Sequence, residues 1–294
     1  MAPKFTIIIS TYNRASTLSV AIRSALSQSL REFCLIIADD ASTDNTKEVV
    51  DSFRDSRITY LCNRKNSGLS STRNAALKLV NGSYVVLIDD DTELKADFLE
   101  RLNKIISETE ADAYCPRVLG NTEGEPYVGI FAKIRKKYLG YLDFNYCIGL
   151  AQIINYEALR NTGYYDERFG IGSRYQAAEE TDLFFRLKQQ GRKVLYCPEL
   201  TAYHRNEDNV AKDKVFRYSC GIAAVLAKHA TSDIRHSYIY LYILLQRILV
   251  SLMRSIQYLI SPKSICKKNK IYRYKYFFLG TIKGFFYYLI YNEH

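Results

Sequence analysis

The chain has 294 residues, of which 48% are hydrophobic and 24% are charged, a composition typical of a folded globular protein. Its seven cysteines are scattered without a Cys-x-x-Cys pair, which argues against a disulfide framework and a structural zinc site and favours reduced thiols. Residues 210–294 hold 14 Lys or Arg against three Asp or Glu, whereas residues 1–209 hold 27 against 28, so the net charge of +10 comes from the tail. Such a basic tail favours an anionic partner.

Strands and helices alternate over the first 110 residues. Short apolar runs predict strands at 5–10, 33–38, 57–62 and 84–88, and apolar residues at helical spacing predict a helix after each. The alternation is typical of an α/β fold with a mostly parallel sheet flanked by helices. No Gly-x-Gly-x-x-Gly follows the first strand and no Gly-Lys-Ser/Thr loop occurs, which disfavours dinucleotide-binding and P-loop proteins. The first strand begins at Phe5 with no basic leader before it, so we expect no signal peptide.

Three adjacent acids, Asp89, Asp90 and Asp91, directly follow the fourth strand. Polar groups also end the first and second strands, at Thr11 and Asp40. Because the carboxyl ends of parallel strands share one edge of a sheet, we expect these groups to converge. Neighbouring carboxylates repel one another, and a divalent cation would relieve that repulsion. The alternative is an acidic surface turn after a strand.

Beyond residue 110 the pattern is weaker. Strands are predicted at 113–118, 146–154 and 193–197, a hairpin at 120–129, and a Gly-bounded loop at 163–172. A helix begins at Ala178 with a run of acids in its first turn, and Gly191 ends it. Acids at a helix N-terminus also have a general explanation in the helix dipole. Pro198 predicts a turn before His204.

The tail has two apolar, aromatic segments, 238–260 and 276–291, separated by the strongly basic run 263–275. Polar residues occupy about half of the helical wheel of the first segment, which favours a helix in the interface of an anionic membrane over a spanning helix. The alternative is a pair of helices packed on the catalytic domain or on a second copy of the chain. Nucleic acid is disfavoured, because no nucleic-acid-binding motif accompanies the charge.

Short motifs occur in a fixed order over roughly the first 205 residues. They are residues 8–14 (IISTYNR), 36–46 (IIADDASTDNT), 66–74 (NSGLSSTRN), 87–91 (LIDDD), 163–169 (GYYDERF), 179–183 (EETDL) and His204. Together they resemble the family 2 glycosyltransferases. The resemblance implies a GT-A-like mostly parallel sheet flanked by helices, and the charge and pattern of the tail predict a C-terminal basic, aromatic helical appendage. We accordingly divide the chain into a nucleotide-sugar-binding half (1–110), an acceptor-binding and catalytic-base half (111–209) and a membrane-associating tail (210–294).

The resemblance also implies a donor site. Ser10, Thr11 and Tyr12 would border the nucleoside, Asp40 would accept a hydrogen bond from the base ring, normally uracil, and Arg73 would face the base or the diphosphate. The residues alone also allow other roles. Asp40 would then cap a turn, and Arg73 would be a solvated charge on a helix.

A metal site follows from the same resemblance. Asp89 would lie near the ribose and the metal, Asp90 would belong to the donor site, and Asp91 would bind Mn²⁺ or Mg²⁺, with His204 on the metal or the diphosphate. The alternatives are a solvated acid for Asp90 and a surface histidine for His204.

The general base is assigned to Glu180, with Glu179 as the neighbouring alternative. The family usually has Asp at this position, and this sequence departs from that pattern by one methylene group. A plain helix-start acid is the alternative.

The resemblance therefore implies a metal-dependent inverting transfer of a sugar, from a UDP-sugar, to a hydroxyl of a cell-surface glycan or lipid-linked acceptor. We expect a cytoplasmic protein, peripheral on the inner face of the cell membrane. The alternative is a catalytically silent sugar-nucleotide-binding or scaffolding subunit of a membrane assembly. A nucleotidyltransferase is disfavoured because no Gly-rich, basic phosphate loop follows the first strand.

Overall fold

The computed structural model describes residues 3–120, 125–127, 129–204, 212–260 and 265–291, without the side chains of 129–130, 212, 254–255, 257–260 and 265–273. The chain forms two compact units. The first, called the sheet unit, comprises Met1–Glu167 and Leu183–Asn206. The second, called the helical unit, comprises Arg168–Asp182 and Glu207–His294. The functions predicted for 1–110, 111–209 and 210–294 stay predictions.

The first part of the sheet unit is the predicted alternation of strands and helices, which is confirmed. Its elements are β1 (Phe5–Thr11), α1 (Ala15–Leu26), β2 (Phe33–Asp39), α2 (Thr46–Asp51), β3 (Ile58–Cys62), α3 (Leu69–Leu77) and β4 (Tyr84–Asp89). β1 pairs in parallel with both β2 and β4, and β2 pairs in parallel with β3. Every residue of β1 is buried, as expected for a central strand covered on both faces.

The second part of the sheet unit is more irregular. It contains β5 (Thr92–Leu94), α4 (Phe98–Glu108), β6 (Ala113–Leu119), β7 (Lys137–Tyr138), β8 (Ala151–Asn155), α5 (Tyr156–Thr162) and β9 (Val194–His204). The described strands form one sheet in the order β3-β2-β1-β4-β8-β6-β9-β5, with β7 also paired to β9. β8 runs antiparallel to both β4 and β6, so the sheet is parallel at one side and mixed at the other.

Two of the predicted strands have different bounds. The strand predicted at 146–154 is confined to β8, because residues Tyr141–Tyr146 form a 3₁₀ helix. The strand predicted at 193–197 continues to His204 and is not ended by Pro198. The pairing of β6 with β9 jumps from Pro116–Cys197 to Arg117–Thr201, so residues 198–200 bulge out of the ladder. A bulge tolerates proline because its backbone N–H need not donate to the ladder.

The hairpin predicted at 120–129 falls largely on residues outside the described part of the chain. At its base an antiparallel bridge joins Leu119 to Pro126, and the Gly120 N–H donates to the Glu125 carbonyl at 2.8 Å. β5, β7 and α5 were not predicted. They are three, two and seven residues long, respectively, too short for a periodic pattern to show.

The helical unit contains α7 (Lys212–Ser232), α8 (Ser237–Ile260) and α9 (Ile265–Tyr291). The helix α6 (Glu179–Gln189) begins in this unit and continues in the sheet unit. Two glycines of α9 let it approach α7 closely: a Cβ on Gly280 would lie 2.5 Å from the Phe216 carbonyl oxygen, and one on Gly284 would overlap the Cys220 carbonyl. None of the helices, over the residues described, is long and apolar enough to cross a membrane.

The packing of α9 on α7 predicts a specific effect of Gly284→Ala. An alanine in an exposed helix interior normally stabilises by about 1 kcal/mol relative to glycine. Here the added methyl group meets backbone that cannot move aside, so we expect a loss of roughly 1–3 kcal/mol in the free energy of unfolding. Chemical denaturation of the full chain measures this difference.

Gly140→Ala is the control, because a Cβ there meets only an Asp143 oxygen at 3.7 Å. An unfolding free energy for Gly284→Ala equal to or above that of the wild type would show that the two helices are not in close contact.

Candidate functional site

The carboxyl ends of β1, β2 and β4 meet at one edge of the sheet. The register pairs Thr11 with Asp39 and Ser10 with Asp89, so the predicted convergence of these strand ends is confirmed. The Asp40 N–H also donates to the Thr11 carbonyl at 3.0 Å. This edge therefore carries the predicted donor-site residues of three strands.

Asp89 is held by an arginine from the neighbouring helix α3. The Arg73 Nη2 donates to Asp89 Oδ1 at 2.7 Å and to the Gly149 carbonyl at 3.1 Å, and its guanidinium lies 5.5 Å from the centre of the Tyr165 ring. Arg73 has no exposed surface. The alternative of a solvated helix charge is therefore wrong, and Arg73 fixes the first of the three acids.

Asp90 and Asp91 share a second arginine, Arg14, from the turn after β1. Its Nη2 donates to Asp91 Oδ2 at 2.6 Å, and its Nε lies 3.3 Å from Asp90 Oδ1. The Thr11 hydroxyl donates to Asp90 Oδ2 at 2.8 Å. Asp90 is 4% exposed, so the alternative of a solvated acid is wrong.

His204, at the end of β9, lies beside Asp91. The antiparallel pairing of β5 with β9 sets Thr92 opposite His204, which brings the ring back to the strand end. His204 Nε2 lies 3.2 Å from Asp91 Oδ1, and the ring packs edge-on against Tyr127 with centroids 4.7 Å apart. Only 8% of His204 is exposed, so it is not a surface histidine.

The pKa values of the two carboxylates move in opposite directions. Burial raises the pKa of Asp90 to about 7, although Arg14 and Thr11 act against it. Burial also raises the pKa of Asp91, but the contacts with His204 and Arg14 outweigh it and leave this pKa below its usual value. Burial lowers the pKa of Arg14, and the two carboxylates more than compensate, so that pKa is raised.

The donor groups at this strand end fit a divalent ion. Asp91 and His204 offer a carboxylate and an imidazole side by side, which suits an ion that completes its shell with phosphate oxygens and water. In the described part of the chain, no group of three or more His, Cys, Asp or Glu is placed to hold a metal alone. His204 Nδ1 is buried and has no hydrogen-bond partner among the described residues.

Asp40 holds the turn that leads into α3. Its Oδ1 accepts from the Asn63 side chain at 2.9 Å and the Ser67 N–H at 2.8 Å, and its Oδ2 accepts from the Gly68 N–H at 2.8 Å. These contacts show the alternative role, in which the Asp40 carboxylate holds a turn. The role of Asp40 toward the base ring stays a prediction. Oδ2 accepts only one of these hydrogen bonds and is therefore the oxygen that can accept another.

The residues at the end of β1 differ in exposure. Ser10 and Thr11 are buried, and the Ser10 hydroxyl has no hydrogen-bond partner in the part of the chain that the structure describes. Tyr12 is 44% exposed. An exposed aromatic ring beside a polar strand end is suited to stacking on a flat ring.

Glu179 and Glu180 lie in the first turn of α6, on the segment that belongs to the helical unit. Just before them, Gln176 and Ala178 adopt positive φ angles of 57° and 73°, which are uncommon for residues other than glycine. Such strained backbone persists only where surrounding structure fixes it. Glu179 is buried and Glu180 half-buried.

A buried ionic cluster follows on the same turn. The Asp182 carboxylate has no exposed surface, and its Oδ1 lies 2.5 Å from Lys228 Nζ and 3.0 Å from His229 Nε2, both on α7. The His229 ring lies 5.4 Å from the ring of Tyr240 on α8. α7 therefore anchors the start of α6 through this carboxylate.

The family model for glycosyl transferase family 2 matches residues 6–173, more than half of the chain. The chain belongs to glycosyl transferase family 2. The matched region includes the three acids, Arg73 and Asp40, whereas α6, His204 and the helices of the helical unit lie beyond it.

Curated relatives match this family 2 chain over less than half of its length. A UDP-Glc:α-D-GlcNAc-diphosphoundecaprenol β-1,3-glucosyltransferase of Escherichia coli is 40% identical over 85 residues, 29% of this chain and 34% of the relative. A GalNAc(5)-diNAcBac-PP-undecaprenol β-1,3-glucosyltransferase of Campylobacter jejuni is 34% identical over 115 residues, 38% of this chain and 37% of the relative. The matches thus span only about a third of these relatives.

Solved structures share the fold. Staphylococcus aureus TarS 1–349 superposes with a TM-score of 0.61 at 20% identity, covering 80% of this chain and 68% of TarS. A Pyrobaculum calidifontis mannosyltransferase, solved with GDP-Man and Mn²⁺, gives a TM-score of 0.68 at 15% identity, covering 100% of this chain and 89% of that chain. The predicted GT-A-like fold of this family 2 chain is therefore confirmed.

Sequence reasoning missed Arg14, Asp182, Lys228 and His229 as site or anchoring residues. Arg14 belongs to a recognised motif, but nothing in the sequence joins it to acids 76 and 77 residues later. In the sequence Asp182 is one of several acids in the first turn of a helix, and only the structure shows that it has no exposed surface.

The raised pKa of Asp90 predicts a pH-dependent effect of Asp90→Asn. The folded carboxyl keeps its proton up to about pH 7, whereas in the unfolded chain it releases the proton near pH 4. The folded state then binds more protons between these values, so this group's contribution to stability falls as pH rises through that window. Asparagine removes this effect. The free energy of unfolding of Asp90→Asn minus that of the wild type should therefore be roughly 1–3 kcal/mol more favourable to the variant at pH 8 than at pH 5.

Chemical denaturation at both pH values measures this difference. Asp97→Asn is the control, because burial raises the pKa of Asp97 but Arg101 outweighs it, and the pKa is lowered. Asp97 is therefore ionised in both the folded and the unfolded state at pH 5 and at pH 8, so any stability that this variant loses should be the same at the two pH values. An Asp90→Asn difference independent of pH would show that the carboxyl is ionised throughout.

Proposed function

We propose that this chain transfers a sugar from a nucleotide-sugar, a UDP-sugar in the first instance, to a hydroxyl of a lipid-linked glycan acceptor, with inversion and with a divalent metal. The observation that carries the proposal is the acidic strand end, where residues 89–91 lie beside Arg73, Arg14 and His204. The donor class is supported by the glucosyltransferase of Escherichia coli, whose name specifies UDP-Glc, and the acceptor class by the undecaprenol-linked acceptors in both relatives' names.

The residues proposed to hold the metal are Asp91 and His204, with Asp89 close by. A bound Mn²⁺ or Mg²⁺ would neutralise negative charge on the departing diphosphate. Arg73 contributes by fixing the Asp89 carboxylate at 2.7 Å, and through it the strand end that faces the ribose in this proposal. Tyr12, with Ser10 and Thr11, would border the nucleoside, and Asp40 would meet the base ring while holding the Ser67–Gly68 turn.

The proposed general base is Glu180. An acceptor hydroxyl is a weak nucleophile until a carboxylate takes its proton. Glu180 lies on a helix start that is anchored by the Asp182 cluster and that follows residues held in a strained backbone conformation. A fixed carboxylate suits proton removal, because misplacement by about 1 Å can cost on the order of 10² in rate.

The alternative function is a catalytically silent subunit that binds a sugar nucleotide or serves as a scaffold. The departure from the usual Asp at Glu180 is the observation that keeps it open. A panel of nucleotide-sugars with Mn²⁺ or Mg²⁺ distinguishes the two. Donor binding without hydrolysis or transfer on any lipid-linked acceptor would favour the silent subunit.

The base assignment predicts the effect of Glu180→Gln. Glutamine keeps the size and hydrogen bonding of the side chain but cannot accept the proton. Transfer should fall by roughly 10² or more, while UDP affinity measured by calorimetry stays near the wild-type value. Radiolabelled transfer to a lipid-linked acceptor gives the rate.

Glu179→Gln is the matched control, since it makes the same change one residue earlier on the same helix turn. It should keep most of the transfer rate. Loss of transfer in Glu179→Gln with retention in Glu180→Gln would assign the base to the neighbour.

A membrane partner is supported by the outward face of α8. Eight large apolar side chains between 39% and 69% exposed lie within about a third of the helical circumference at 100° per residue: Tyr238, Leu241, Tyr242, Leu245, Leu249, Leu252, Met253 and Ile256. Six Lys or Arg follow between residues 263 and 275, and the one of them whose side chain the structure describes, Lys275, is exposed. We propose that this face, called the α8 stripe, lies on an anionic lipid surface at the cytoplasmic side of the cell membrane.

Two polar residues of α8 lie on the side that packs against protein, opposite the α8 stripe. Arg247 lies 4.4 Å from the centre of the Phe277 ring on α9, and Ser251 is 1% exposed. The apolar residues of the stripe, on the opposite side of the helix, are left exposed. Contiguous exposed apolar surface of this kind marks a membrane or protein contact.

The α8 stripe predicts the outcome of a vesicle experiment on the full chain. The wild type should sediment with anionic vesicles and be partly released by high salt, because salt screens only the electrostatic part. Replacing Leu245, Leu249 and Met253 together by serine should reduce the bound fraction at every salt concentration, since apolar burial is lost. Sedimentation measures the bound fraction.

The control replaces three exposed apolar residues of the sheet unit, Leu79, Ile134 and Leu142, by serine; they are 48%, 74% and 56% exposed. It should bind vesicles like the wild type. A discrete oligomer that the α8 variant dissociates, with no vesicle binding, would assign the face to a second copy of the chain.

A further inference from the structure

Hydrogen bonds of the preceding residue fix the backbone that leads into Arg14. The preceding residue, Asn13, has a φ of 52°, its N–H donates to the Ser42 hydroxyl at 2.8 Å, and its side-chain oxygen accepts from the Thr43 N–H at 2.7 Å. The Arg14 side chain is 44% exposed. The backbone of Arg14 is therefore fixed beside the acidic strand end, whereas its half-exposed guanidinium can change partners.

The contacts of Arg14 coincide with the oxygens a divalent ion would need. Its Nη2 lies 2.6 Å from Asp91 Oδ2, and its Nε lies 3.3 Å from Asp90 Oδ1. The other oxygen of Asp91 faces His204, and the other oxygen of Asp90 accepts from Thr11. A cation that binds Asp91 must share the carboxylate with the guanidinium or replace it.

The second arginine of the site differs in this respect. Arg73 has no exposed surface and is held by Asp89 and the Gly149 carbonyl, so it cannot leave without exposing a buried charge. Arg14, half-exposed, loses little by moving, because ion pairs near the surface are worth about 0–1 kcal/mol. Of these two arginines, Arg14 is the one suited to exchange.

We propose that Arg14 competes with the divalent ion for Asp90 and Asp91, and thereby couples metal binding to donor binding. This inference rests on the proposed function, in which Asp91 binds the metal. When the ion takes Asp91, the guanidinium is displaced and needs a new anion. A nucleoside diphosphate supplies one, in the bidentate geometry that guanidinium groups favour. Metal and donor then bind more tightly together than alone, and by linkage the coupling is reciprocal.

The test measures Mn²⁺ binding directly, from the electron paramagnetic resonance signal of the free ion, with and without UDP. In Arg14→Gln the competitor is removed, so Mn²⁺ alone should bind roughly two- to fivefold more tightly than to the wild type, the range for losing one half-exposed ion pair. The ratio of Mn²⁺ dissociation constants without and with UDP should fall by a similar factor. Arg14→Lys keeps the charge and should bind Mn²⁺ alone like the wild type.

Arg101→Gln is the matched control. Arg101 lies on α4, is 48% exposed, and its Nε lies 2.6 Å from Asp97. The substitution therefore removes a comparable arginine–aspartate pair that does not involve residues 89–91. It should leave both Mn²⁺ constants unchanged. Unchanged or weaker binding of Mn²⁺ alone to Arg14→Gln, or an unchanged ratio, would overturn the competition.

Asp91→Asn separates this inference from the proposed function. It should weaken Mn²⁺ binding in the presence of UDP. If it does so while Arg14→Gln behaves like the wild type, only the role of Arg14 is wrong. If Asp91→Asn binds Mn²⁺ normally, the metal site lies elsewhere and both proposals fail.

Discussion

Three carboxylates on consecutive residues, at one strand end, are the constraint on which the sheet unit depends. Buried carboxylates are tolerated only when each is paired or hydrogen-bonded. Here the partners come from distant parts of the chain: Arg73 from α3, Arg14 from the turn after β1, and His204 from the last strand. Residues 89–91 therefore hold together elements that lie up to 190 residues apart in sequence, counting from Arg14 to His204.

The positions of the acids were predictable because they follow strong local signals. β1, β2 and β4 are continuous apolar runs, and parallel pairing alone brings their ends to one edge. The partners were less predictable, since they depend on how later strands return. His204 reaches the site only because β9 continues past Pro198 through a bulge, and a proline in a short apolar segment normally predicts the opposite.

The helical unit shows a different limit of sequence reasoning. The tail was divided correctly into apolar and polar halves of a helical wheel, but a wheel does not state which half faces the protein. The packing around Arg247 and Ser251 decides that question, because it places these two polar residues inward and leaves the apolar stripe exposed. Likewise, the acids at the start of α6 have an ordinary explanation in the helix dipole, and only the burial of Asp182 against α7 singles one of them out.

The order of the units along the chain has a consequence for synthesis. Residues 168–182 belong to one unit with residues 207–294, although residues 183–206 between them belong to the other. The first four strands, three of which form the acidic edge, are complete by residue 89 and pair with one another over separations of at most 79 residues. Contacts between more distant segments form later, because loop closure must precede them. A growing chain on the ribosome can therefore complete these strand ends early, whereas the start of α6 is anchored only after α7 has emerged.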